Sequence, residues 1–140
     1  MSEGVTATPD LELTLPARAE NVAVVRHALG GLAEVLDVDE QVLADIKLAV
    51  TEACTNVVVH AYDGDEPGAL EMAACIDGRM LTVVIRDSGG GIRPRPDSPG
   101  LGLGLPLIAT LVESLELSSD VADRTEVRMT FRLDDGEDPV

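Results

Sequence analysis

Aromatic side chains are almost absent from this sequence: it has no tryptophan, one tyrosine (Tyr62) and one phenylalanine (Phe131). The stacking platforms on which single-stranded nucleic acids are held are therefore missing, and packing must rest on Leu, Val, Ile and Ala. Basic residues are also scarce, 10 Lys and Arg against 26 Asp and Glu, giving a formal net charge of −16. Neutralising a phosphate backbone needs clustered Lys and Arg, so no nucleic acid is expected as a partner. A protein, or a small ligand arriving with its own cation, fits better. Cysteine is limited to Cys54 and Cys75; with neither CxxC nor Cys/His spacing, no zinc site or disulfide framework is predicted, and both read as reduced core thiols. No run of about eighteen apolar residues occurs. "MSEGVTATPDLELTL" lacks the basic start and apolar stretch of a signal peptide, so the expected location is the cytoplasm, with no membrane contact.

The 140 residues suit one domain,. Residues 1–10 and 134–140 are polar, acidic or proline-containing and read as flexible tails around a domain at 11–133. "LELTL" (11–15) alternates like a strand until Pro16, and Val22, Val25, Leu29, Leu32 and Leu36 then recur at helical spacing over 19–36, locally weakened by Gly30 and Gly31. Asp37 or Asp39 is the candidate N-cap of a second helix carrying Val42, Ile46, Ala49, Val50, Ala53 and Val57 to about Ala61. A hairpin follows, with Leu70, Met72, Ala74 and Ile76 alternating, a tight turn at Gly78, and the return strand "MLTVVIRD". After a Gly- and Pro-rich stretch, a helical period resumes at Leu105, and "LELSS" and "TEVRMTFRL" close the chain as strands. The predicted fold is an α/β (α+β) two-layer sandwich, a mixed, mostly antiparallel sheet covered on one face by three helices.

Three segments carry chemistry. In "LAVTEACTNVVVHAY" (48–62), Glu52, Asn56 and His60 follow one another at i, i+4. That spacing lines side chains along one helix face about 6 Å apart, although a solvated polar face would show the same pattern. "RDSGGGI" (86–92) ends an apolar strand in Asp87 and then glycine. A carboxylate there stands beside backbone that a flat ligand can approach closely, and the same residues are an ordinary turn signal. "GLGLGL" (100–105) opens a helix with alternate glycines, a setting that favours anions; it is neither the dinucleotide fingerprint nor a Walker A loop.

Taken in this order, the E-x-x-x-N helix, the strand ending D-x-G-x-G and the G-x-G-x-G helix start resemble the Bergerat-type ATP-binding fold of gyrases and histidine kinases. "PARAENVAVVRHALGG" followed by "DEQVLADIKLAVTEACTNVVVHAY" is most similar to the anti-sigma-factor serine/threonine kinases, over roughly residues 11–133. The resemblance implies an ATP-dependent kinase that inhibits a sigma factor and phosphorylates a small anti-sigma-antagonist domain. It implies Glu52 as general base for a serine hydroxyl and Asn56 as the holder of Mg²⁺. Asp87 would be the acceptor of the adenine amine, Gly89 and Gly91 the shapers of the adenine pocket, Gly102 and Gly104 part of the phosphate loop, and Thr125 an adenine contact. For His60 a phosphate contact and a packed helix-end histidine both stay open; His27 is expected to play no chemical role. The family commonly forms homodimers through its N-terminal strand and helix. Two features depart from the pattern. "RPRPDSP" (93–99) is short for an ATP lid and stiffened by three prolines, which favours an alternative, a nucleotide-dependent sequestering module without phosphotransfer. Arg124 stands where the family usually has glycine, and is expected to narrow the adenine entrance.

Overall fold

A computed structural model of the chain describes residues 8–62, 68–88, 104–119 and 124–134. Its elements are β1 (Leu11–Pro16), α1 (Ala19–Leu36), α2 (Glu40–Asn56), a π-helical turn (Val57–Ala61), β2 (Ala69–Asp77), β3 (Met80–Asp87), α3 (Gly104–Leu111), β4 (Ser114–Ser119) and β5 (Thr125–Arg132). The five strands form one sheet in the order β1-β2-β3-β5-β4, with every neighbouring pair antiparallel. The expected mixed sheet is thus antiparallel throughout the described strands. β3 and β4 do run parallel across the α3 crossover, but β5 lies between them and pairs with both.

Alternation gives the sheet its two faces. Along β5 and one residue beyond it, Val127, Met129, Phe131 and Leu133 are buried while Glu126, Arg128 and Thr130 are half-exposed and Arg132 is exposed. Gly78 turns the β2–β3 hairpin at φ 63°, a conformation that suits a residue without Cβ,. α2 packs over β3 and β5, α1 meets β1, and α3 meets β4. The shared core is aliphatic: Ile46, Val50, Ala53 and Val57 are buried in one cluster with Met72, Val83, Ile85, Val127 and Met129. Burying each large aliphatic side chain is worth about 1.5–3 kcal/mol, which is how a chain nearly devoid of aromatics holds together. No helix among the described residues is long and apolar enough to cross a membrane.

The helix boundaries sharpen the expectations. α1 runs through Gly30 and Gly31 unbroken and ends at Asp37, a left-handed residue at φ 56°. Asp39, not Asp37, is the N-cap of α2, its Oδ2 accepting from the Gln41 N–H at 2.9 Å. The predicted α-helix to Ala61 is corrected: α2 stops at Asn56, and Val57–Ala61 winds as a π turn. Three successive β-branched valines crowd the i+3 and i+4 positions of an α-helix, and a wider turn with i→i+5 bonds relieves that crowding.

Candidate functional site

Three polar residues are buried among the described residues: Asn56, Asp87 and Thr125 at 7%, 3% and 4% exposure. They converge at one end of the sheet. Asp87 is the last residue of β3 and Thr125 the first of β5, and the antiparallel register sets them directly opposite each other. Asn56 closes α2, the helix that lies over those two strands. The sequence makes this possible because an apolar strand, an apolar helix face and a second apolar strand each carry one polar residue at the same end.

Two atoms of this group, Asn56 Nδ2 and Thr125 Oγ1, are buried without a hydrogen-bond partner among the described residues. Leaving such a group unsatisfied costs about 1–3 kcal/mol, so native interiors rarely retain one without a reason. Thr125 stands directly across the register from the buried Asp87 carboxylate, and unsatisfied polar groups at this end of the sheet suit a flat polar ligand able to offer both donors and acceptors. The residues present therefore fit a polar ligand such as a nucleotide.

Glu52 lies one turn before Asn56 on α2, half-buried, and its carboxylate has no hydrogen bond or ion pair among the described residues. His60 sits in the π turn, also half-buried and without such a partner among the described residues. The α-helical ladder that predicts a continuous row Glu52–Asn56–His60 ends at Asn56, so the i, i+4 argument carries only for the first two. Gly104 is the first residue of α3, as the glycine motif at a helix start predicts. Gly89, Gly91, Gly102 and the segment 93–99 lie outside the described residues.

Arg124 lines a recess of about 480 Å³ with Glu71, Arg86, Ser118, Ser119, Thr125 and Glu126. A larger recess of about 680 Å³ lies between α1 and α2, lined by His27, Gly30, Glu34 and Lys47 among others. It holds none of the buried polar trio, and its size alone gives it no chemistry. Cys54 is buried, and burial pushes its thiol up to about 12. It packs as a neutral residue, unsuited to nucleophilic chemistry.

The residue that sequence reasoning overlooked is Tyr62. Its hydroxyl donates to Ala69 O at 2.7 Å and accepts from the Ser88 N–H at 2.9 Å, joining the end of the π turn to the start of β2 and the end of β3. The available signal was its rarity, a lone tyrosine ending the helix that carries Glu52 and Asn56.

Comparison with known proteins places the chain in a family. The profile of the histidine kinase-like ATPase domain matches residues 15–131. The chain is 36% identical over 125 residues to a serine-protein kinase RsbW of Halalkalibacterium halodurans, covering 79% of this chain and 76% of that one. It is 28% identical over 130 residues to an anti-sigma F factor of Clostridium acetobutylicum, covering 85% of this chain and 90% of that one. A crystal structure of the RsbU and RsbW domains of a Mycobacterium tuberculosis protein superposes with a TM-score of 0.71 at 27% identity. That match takes in 90% of this chain but 33% of the longer one. With the fold, the profile and the relatives in agreement, the chain belongs to the histidine kinase-like ATPase family and, within it, to the branch of the anti-sigma-factor kinases.

Proposed function

We propose that this protein is an ATP-dependent serine kinase that restrains a sigma factor and phosphorylates a small antagonist domain. The observation that carries the reading is the buried polar group Asn56, Asp87 and Thr125, in which Asn56 Nδ2 and Thr125 Oγ1 have no partner among the described residues. In this reading Asp87 accepts from the exocyclic amine of adenine and Thr125 supports the same ring. Asn56 would hold Mg²⁺, which would supply charge neutralisation at the phosphates. The described residues contain no cluster of three or more His, Cys, Asp or Glu able to cage a metal, so the cation would enter with the nucleotide. His60, Gly102 and Gly104 are assigned to the phosphate side, and Gly89 and Gly91 to the adenine side.

Glu52 is the proposed general base. It takes the proton of a partner's serine hydroxyl as the serine oxygen bonds to the γ-phosphorus; the bond from that phosphorus to the bridging oxygen breaks, and ADP leaves. Its half-buried carboxylate, not engaged by any described residue, is available for that task. The names of the relatives support a sigma factor and its antagonist as partners; a homodimer and a cytoplasmic location are part of the proposal and rest on the sequence resemblance alone.

Calorimetry with Asp87→Asn tests the nucleotide half. The wild type is expected to bind Mg-ATP well and GTP poorly. The variant should lose about 10- to 100-fold in ATP affinity, since a hydrogen bond to a charged group is worth about 1.5–3 kcal/mol. Equal binding of ATP and GTP by the wild type would remove the adenine assignment.

A further inference from the structure

The β2–β3 ladder ends with Glu71 opposite Arg86. Continued two residues further, that register would set Ala69 opposite Ser88. Instead, the Tyr62 hydroxyl stands between them, donating to the Ala69 carbonyl at 2.7 Å and accepting from the Ser88 N–H at 2.9 Å. One oxygen thus takes the place of a ladder contact and holds the two strand ends a hydroxyl's width apart, beside Asp87. The ring is fixed from behind. A Cβ on Gly68 would collide with its Cε1 and Cζ atoms, and Gly68 is itself tied to the chain ahead of α1 by the Ala17 N–H donating to its carbonyl at 2.8 Å. The π turn ends directly before this side chain and releases Tyr62 into extended backbone at φ −125°, ψ 136°. Burial, and with it the negative charge of Asp87, push the phenol above its ordinary value, so it stays neutral and able to donate and accept at once,.

We infer that Tyr62 is a positioning residue for adenine recognition: a wedge that keeps the ends of β2 and β3 apart and anchors Ser88, so that the neighbouring Asp87 carboxylate is held where an exocyclic amine meets it. This rests on the proposed adenine role of Asp87. Backbone N–H and C=O groups at a strand end must find partners, and without the hydroxyl the Ala69 and Ser88 groups would be drawn to each other, moving Asp87 with them.

Tyr62→Phe keeps the ring and removes the wedge. Its Kd for Mg-ATP should rise about tenfold, the scale of one or two lost hydrogen bonds. Its Kd for purine riboside triphosphate, which lacks the exocyclic amine, should change by less than about twofold. In an Asp87→Asn background the same substitution should add almost nothing, because the group it positions has already lost its charge. Gly68→Ala, which displaces the ring while keeping the hydroxyl, should lose the same preference for ATP. A Tyr62→Phe protein that retains the full wild-type preference, or that weakens both nucleotides equally as a general loosening would, overturns the inference and leaves the role of Asp87 standing. A wild type that binds the two nucleotides alike overturns the adenine role and the wedge together.

Discussion

Asn56 Nδ2 and Thr125 Oγ1, buried in an aliphatic core without partners among the described residues, lower the stability of the folded chain,. Thr125 allows this to be measured, because valine has nearly the same shape and lacks the hydroxyl. Thr125→Val is expected to raise stability by about 1 kcal/mol, since it removes an unsatisfied buried group, and to weaken Mg-ATP. Urea unfolding and calorimetry on the same preparation check both signs; a loss of stability would mean that the hydroxyl already has a partner. At this scale the sequence is informative where a polar residue interrupts an apolar pattern. Asp87 ends a run of strand residues, and Glu52 and Asn56 break an apolar helix, so each stands out from its neighbours. Tyr62 does not stand out in this way. Its meaning depends on Ala69 and Ser88, which only the folded sheet brings to its hydroxyl.

Elements are legible to the extent that their periodicity is local. The strand alternation in β5 and the helical period in α1 and α2 predict which side chains face the core; the structure buries most of them and leaves Leu32, Leu36 and Val42 half-buried against it. The π turn is not legible: three β-branched valines weaken an α-helix locally without specifying the winding that replaces it. Nor is the strand order, since nothing in the β4 or β5 sequence says which of them lies next to β3. α1 offers a direct test of local propensity. Gly30 faces the side chain of Lys47, where an added Cβ would lie 3.4 Å from Cε and Nζ, whereas a Cβ on Gly31 would meet nothing within 4 Å. Gly31→Ala should therefore raise stability by about 0.8–1 kcal/mol, the intrinsic helix preference of alanine over glycine. A thermal midpoint that falls instead would show that Gly31 carries a contact outside the described residues.

Across the whole molecule, the helices cover one face of the sheet and leave the other to charged side chains. On that open face Glu126 sits between two guanidiniums, 2.9 Å from Arg86 Nε and 3.0 Å from Arg128 Nη2. Partial burial would raise the Glu126 carboxyl, but Arg86 and Arg128 outweigh it and hold it below the usual carboxylate range. Because the folded-state value is depressed, the ionised carboxylate adds stability above the unfolded-state value, near 4.3, and that contribution is lost as pH falls through the folded-state value. Glu126→Gln should be less stable than wild type at pH 7 by about 0.2–1 kcal/mol, the range for pairs this exposed. The difference should vanish in more acidic solution, as urea midpoints at the two pH values will show. A gap that persists in acid would assign the effect to packing.

The central claim is that the helix face of Glu52 and Asn56 separates chemistry from binding. The decisive measurement is the single-turnover rate of phosphate transfer from Mg-ATP to the cognate antagonist domain by wild type, Glu52→Gln and Asn56→Ala, with Mg-ATP affinity measured in parallel. Glu52→Gln should bind Mg-ATP almost as wild type does and transfer phosphate about 10²- to 10⁴-fold more slowly, the range for loss of a general base. Asn56→Ala should lose both. A Glu52→Gln protein that transfers phosphate at the wild-type rate, or a wild type that binds its partner in an ATP-dependent way yet transfers nothing to it, would contradict the kinase reading.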